Sequence, residues 1–184
     1  MSTDGASQGA LLSLARSAIA ASLGVGRETP ATHLPIFDRR QGAFVTLTLH
    51  DRLRGCIGRI EAADVLRVVI PAVARSAAFS DPRFAPLGIG EFPDVRIEIS
   101  LLSAPARLHT PDELVVGRDG VIIEWRGGRG LLLPQVAVEH AWGRDELLAH
   151  ACAKASLPAD AWRKGGVGIL RFEAEVFREP AGDG

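Results

Sequence analysis

The sequence predicts an α+β fold, an antiparallel sheet with surrounding helices and a smaller lobe. Three observations carry that expectation. Apolar residues recur at every second position over residues 43–50, 95–101 and 169–178, the period of half-buried strands. Apolar residues recur at helical spacing over 10–23 and 64–79. Strand hairpins stand between helices with no regular βαβ alternation, which argues against a doubly wound sheet.

In chain order, residues 1–9 are small and polar and read as a mobile terminus. Leu11, Leu14, Ala15, Ile19 and Leu23 then form one apolar helix face, and Gly24 and Gly26 end it. Residues 28–38 hold two prolines and read as an extended connection. Ala43, Val45, Leu47 and Leu49 form the inner face of a strand, His50-Asp51-Arg52 a turn, and residues 53–60 the return strand of a hairpin. Asp64 is placed to cap the next helix, whose buried side holds Val65, Leu66, Val69, Val73 and Ala77, with Pro71 expected to kink it.

Ser80-Asp81-Pro82-Arg83-Phe84 breaks the chain sharply. Val95, Ile97, Ile99 and Leu101 alternate against Arg96, Glu98 and Ser100. Residues 121–125 and 130–133 flank Arg126-Gly127-Gly128-Arg129, where the glycine pair suggests a two-residue turn with positive φ. Helices are expected over 135–142, 144–155 and 159–163, and a last strand burying Leu170, Phe172, Ala174 and Val176. No repeat or linker divides the chain, so residues 10–178 read as one domain, followed by a tail at 179–184.

Composition narrows the function classes. A chain of 184 residues with 47% hydrophobic and 23% charged residues is long and apolar enough for a substantial core. No apolar run approaches a bilayer span, and no basic stretch precedes an apolar one at the start, so a cytoplasmic location is expected. The formal net charge of −1 exerts no long-range pull on nucleic acid or anionic membrane. The two cysteines, Cys56 and Cys152, are far apart, outside any Cys-x-x-Cys pair, and read as free thiols.

Leu53-Arg54-Gly55-Cys56-Ile57-Gly58 is the most unusual segment. Glycine inside a strand usually marks a bulge or a close approach by backbone or ligand. On a regular strand Arg54, Cys56 and Gly58 share one face, and Leu53, Gly55 and Ile57 the other. Arg54 is near enough in sequence to favour a Cys56 thiolate or to hold an anion. Against this, free cysteine commonly behaves as a small buried hydrophobe. Asp81 and Arg83 either line a cleft beside Cys56 or form a local ion pair at a helix stop.

Other candidates are weaker. Glu98 and Arg171 suggest a cross-strand ion pair. Gln135, in a first helical turn, either contacts a ligand or satisfies nearby backbone. Trp142 and Trp162 suit core packing. His140, His150 and Cys152 lack the spacing of a closed metal site. The glycines at 24–26 and 165–168 lack a phosphate-loop pattern, so neither metal nor cofactor is implied.

The chain also resembles a known family. Residues 42–47, 53–58, Ala78-Phe79-Ser80-Asp81-Pro82-Arg83-Phe84, Ile97-Glu98-Ile99-Ser100 and residues 130–136 look like the AMME-critical-region (AMMECR) domain family. So do Trp142, Cys152-Ala153-Lys154-Ala155, Trp162 and residues 171–177, all in the family's order. The resemblance implies a compact α+β domain whose suspected functional site is Arg54-Gly55-Cys56-Ile57-Gly58. Prokaryotic members look like protein A of the AmmeMemoRadiSam system, which implies a Memo-like protein and a radical S-adenosylmethionine enzyme as partners. It implies no particular reaction.

Three functions follow as expectations. The first is an accessory or recognition component of a modification pathway, binding a partner or small ligand through Arg54, Cys56 and Arg83, with Gly55, Ile57, Gly58, Asp81 and Gln135 contributing. The second is an enzyme with Cys56 as nucleophile, Arg54 lowering its pKa and glycine amides binding an oxyanion. The third, nucleic-acid binding, needs an Arg-rich face that the balanced charge does not demand.

Overall fold

The computed structural model describes residues 3–29 and 33–180. Residues 1, 2, 30–32 and 181–184, parts of the expected N-terminal segment, connection and tail, lie outside the described residues. The chain divides into two compact units, Met1–Leu102 with Glu175–Gly184, and Ser103–Ala174.

In the first unit, α1 (Gly5–Ser22) and α2 (Leu66–Phe79) pack with β1 (Ala43–Leu49), β2 (Arg52–Arg59), β3 (Val95–Leu102) and the end of β7 (Gly168–Arg178). The strand order is β2-β1-β3-β7, which leaves β2 at the sheet edge. The inner faces of β1 and β3, led by Val45, Leu47, Ile97 and Ile99, are buried with Leu11, Ile19, Val69 and Ile70 of the helices. Helix α1 begins earlier than periodicity alone suggests, because Asp4 caps it by accepting from the Ser7 amide. Asp64 does not cap α2. Val65 occupies that position without a side-chain bond, and Asp64 pairs with Arg59 at 3.6 Å. The helix continues through Pro71, which is buried.

Two features of this unit prepare the site. His50 and Asp51 both adopt positive φ, 49° and 58°, and make a tight two-residue turn between β1 and β2. The register then slips: Leu47 lies opposite Gly55 but Thr48 opposite Leu53, so Arg54 is the extra residue of a bulge. The bulge moves Leu53 onto the Thr48 side, where it is 45% exposed, instead of onto the face of Gly55 and Ile57.

The second unit holds β4 (Ala106–Arg107), β5 (Asp119–Trp125), β6 (Gly128–Leu132), the first part of β7, and α3 (Pro134–Glu139), α4 (Arg144–Lys154) and α5 (Ala161–Lys164). Strand β7 pairs antiparallel with β5 and with β4, and β5 with β6. Val121, Ile123, Leu147, Leu148 and Cys152 form its core. The β5–β6 turn is Arg126-Gly127, not Gly127-Gly128, because Trp125 already pairs with Gly128, and neither turn residue has positive φ. Gly127 serves a different end: the Trp125 ring lies over it, and a Cβ there would stand 2.3 Å from that ring.

Strand β7 also departs from its expected buried face. Phe172 is buried, but Val176 is 41% exposed, while Phe177 enters the first core and Ile169 packs against the second. Both faces of β7 carry apolar side chains, so alternation alone does not choose between them. Glu98 pairs with Arg178 at 3.4 Å rather than with Arg171, which instead lies 3.7 Å from the buried Asp119. No helix among the described residues is long and apolar enough to cross a membrane.

Candidate functional site

Gly55 positions the site. A Cβ at this residue would sit 2.1 Å from the Ala77 carbonyl oxygen, so only glycine lets the last turns of α2 press directly on β2. The chain leaving α2 is thereby delivered to the β2 edge. It folds back on itself, with the Leu87 amide donating to Ala78 O at 2.8 Å and the Leu87 side chain buried in the core. That return brings Asp81, Arg83 and Glu91 against β2.

Asp81 and Arg83 close over Cys56 as a pair. The Cys56 amide donates to Asp81 Oδ2 at 2.9 Å, and Arg83 Nη2 donates to the Cys56 carbonyl at 3.3 Å. The two side chains join each other through Arg83 Nε to Oδ1 at 3.0 Å and Nη2 to Oδ2 at 2.7 Å. Together they satisfy the outward-facing backbone of an edge residue as a neighbouring strand would. The Asp81 side chain is 2% exposed and that of Arg83 53% exposed. The guanidinium hydrogen bonds, with help from the Cys56 and Arg83 amides, outweigh burial and hold the Asp81 carboxyl well below the usual carboxylate range.

Arg54 points elsewhere. Its bulge position sends the guanidinium to Glu91, through Nε to Oε1 at 2.8 Å and Nη2 to Oε2 at 2.9 Å, and Nη1 to the Ala85 carbonyl at 2.9 Å. This fork-to-fork pair, with the Gly88 amide, brings the Glu91 pKa down to about 2. Arg54 is therefore bonded across the post-α2 segment. The cation that acts on the thiol is Arg83.

The thiol lies on the sheet's polar face. Thr46, opposite both Cys56 and Glu98 in the register, donates its hydroxyl to Cys56 Sγ at 3.2 Å. Burial pushes the Cys56 thiol up; the Thr46 hydrogen bond and the Arg83 charge oppose the rise, and Asp81 and Glu98 add to it. Desolvation wins, so the group is a protonated thiol near neutral pH.

Of the residues singled out by sequence, the structure joins Arg54, Gly55, Cys56, Asp81 and Arg83 around one edge strand. Ile57 packs on the core, and Gly58 lies against Phe44, whose ring would be 2.2 Å from a Cβ there. Gln135 is half-buried on α3 in the second unit and takes no part in these bonds. Sequence reasoning missed Thr46 and Glu91. Thr46 was recoverable from hairpin register, whereas nothing local to Glu91 signals its pairing with Arg54. Among the described residues no group of three or more His, Cys, Asp or Glu side chains is arranged for a metal ion.

These features define an α+β protein with a bulged, glycine-bracketed cysteine strand capped by an Asp–Arg pair. The AMMECR1 family model matches residues 12–177, and the chain belongs to that family. A Methanococcus aeolicus protein is 44% identical over 158 residues, covering 82% of this chain and 79% of its own. Protein MJ0810 of Methanocaldococcus jannaschii is 45% identical over 152 residues, covering 78% and 76%. The crystal structure of the uncharacterized protein PH0010 from Pyrococcus horikoshii is similar with a TM-score of 0.87 and 37% identity, covering 95% of this chain and 92% of that one.

Proposed function

We propose that this AMMECR1-family protein is an accessory or recognition component of a modification pathway, acting with a Memo-like protein and a radical S-adenosylmethionine enzyme. It engages its partner through the side chain of Arg83, held beside the strand Arg54–Gly58 by Asp81. The observation that carries this reading is the Asp81–Arg83 pair on both backbone groups of Cys56. With its amide already donated to a carboxylate, Cys56 has no N–H left to bind an oxyanion at its own position. With its thiol pushed up by burial, it is a poor nucleophile at neutral pH.

What the site offers is recognition. Arg83 is oriented by two bonds to Asp81, and its Nη1 has no protein acceptor among the described residues. A preorganised guanidinium with a free donor edge suits a carboxylate on a partner surface.

The test is titration calorimetry of the purified chain with the Memo-like protein and the radical enzyme of the same genome. Arg83→Ala is expected to weaken the complex by roughly tenfold, the worth of a charge-assisted hydrogen bond. Cys56→Ala is expected to leave it within about threefold. No measurable association with either protein, or equal affinity for Arg83→Ala, would sink the proposal.

A further inference from the structure

An open, mostly polar hollow in the second unit, distinct from the Cys56 cluster, has room for a small molecule. It is lined by Arg107, Glu124, Trp125, Gly166, Val167 and Gly168, and its volume of about 450 Å³ falls within the range that holds small ligands. Its origin lies in the strand register. Arg107 on β4 is opposite Leu170, and Glu124 on β5 is opposite Gly168. Leu170 and Gly168 share a face of β7, so Arg107 and Glu124 rise on the same face, one on each side of that strand. No side chain rises from Gly168, and the Glu124 side chain leans over it, its Oε2 4.0 Å from where a Cβ would stand.

The rim is set by two further features. Gly165 and Gly166 both hold positive φ, 79° and 82°, a conformation that favours glycine, so no side chain stands at these two positions. Trp125 is fixed rather than free: its indole N–H donates to Ala155 O at 2.9 Å, and its ring lies against the Gly127 backbone. It nevertheless remains 39% exposed, an immobilised aromatic surface at the mouth of a hollow.

Charge supplies the selectivity. Glu124 is neutralised by an ion pair with Arg129. Arg107 has no ion pair or side-chain hydrogen bond among the described residues, unlike Arg118, Arg144, Arg163 and Arg171 of the same unit. The hollow therefore presents one uncommitted guanidinium beside one fixed ring. We propose that it binds a small planar molecule carrying an anionic group, the ring against Trp125 and the carboxylate or phosphate on Arg107.

Two probes separate the anionic groups, indole-3-acetate for a carboxylate and adenosine monophosphate for a phosphate. Each is titrated into the ¹⁵N-labelled full chain, with the Trp125 indole N–H signal identified by its loss in Trp125→Phe. The expected result is a saturable shift of that signal and of the Gly166 and Gly168 amides, with Kd at or below about 1 mM for at least one probe. Arg107→Gln should weaken binding roughly tenfold or more, and Arg107→Lys should recover part of it. Response to one probe alone supports the site and names its anion. No saturable shift up to about 10 mM with either probe, or unchanged affinity in Arg107→Gln, overturns it. All six lining residues belong to the second unit and the Cys56 cluster to the first, so this result and the partner titration succeed or fail separately.

Discussion

The Asp81 carboxylate accepts the backbone amide of Cys56 at 2.9 Å, across the open edge of β2. An edge strand exposes unpaired N–H and C=O groups that invite another strand. Here one aspartate and the arginine it orients occupy both groups of a single residue, at the centre of the most distinctive motif in the chain. The same bond ties the turn after α2 to the sheet, so the position of Arg83 depends on it.

Asp81→Ala removes the acceptor from the Cys56 amide and the counter-charge from Arg83. The expected cost is roughly 1–3 kcal/mol, that of leaving the Cys56 amide without its acceptor, because the half-exposed Arg83 can turn to solvent. Asp81→Asn retains an oxygen acceptor for the amide and should recover part of that loss. Urea unfolding with a constant slope measures both, and wild-type stability in Asp81→Ala would show that the bond does not hold the edge.

Gly55→Ala tests the contact that delivers the post-α2 segment. Both atoms in conflict, the new Cβ and Ala77 O, are tied to backbone, so relief requires α2 and β2 to separate. The expected destabilisation is about 2–4 kcal/mol. Gly90→Ala, where a Cβ would meet nothing within 4 Å, serves as control and should stay within about 0.5 kcal/mol. Equal stability of the two variants would refute the close approach.

Acid should weaken the site in a defined window. The Asp81 and Glu91 pKa values are both depressed in the folded state, so each carboxylate contributes stability that is fully present above its unfolded value. For Glu91 the contribution disappears as pH falls from about 4.5 towards about 2, and for Asp81 it starts to fade below 3.8 and persists to lower pH. Stability measured by urea between pH 6 and pH 2 should therefore decline with a slope that Glu91→Gln and Asp81→Asn each reduce. An unchanged slope in both variants would contradict the two ion pairs.

The thiol makes a further prediction. Alkylation of Cys56, with Cys152→Ala as background, should be slow at neutral pH and show a midpoint above the ordinary thiol value of about 8.5. Arg83→Ala should raise the midpoint further and Arg54→Ala should leave it unmoved, because Arg54 is engaged with Glu91. Fast alkylation with a midpoint near neutrality would revive the nucleophile reading and count against a recognition role.

Much of this was legible from residues alone. Alternation placed β1, β3 and β7 to within a residue or two, and the glycines flanking Cys56 correctly marked a close approach of backbone. Each departure has its own cause. Arg54 was expected to face Cys56 because a regular strand repeats every two residues, and the bulge at Leu47/Thr48 breaks that repeat. Asp64 looked like a helix cap, yet its carboxylate pairs with Arg59 instead. The Gly127-Gly128 turn was displaced by one position because Trp125 extends the strand pairing and needs room for its ring.

Which residues are apolar, and at what period, is written along the chain, and with it the α+β class, the two main helices and the strand that carries Cys56. Those properties are local: side-chain period and backbone freedom act over a few residues. Which charges meet is a matter of packing between distant segments. Arg54 finds Glu91 thirty-seven positions away, and Asp81 reaches Cys56 across twenty-five. Such pairings depend on how α2 lies against β2, and that is set by one missing Cβ at Gly55. Charge partners at that separation leave no period in the sequence, because they are selected by packing and not by distance along the chain.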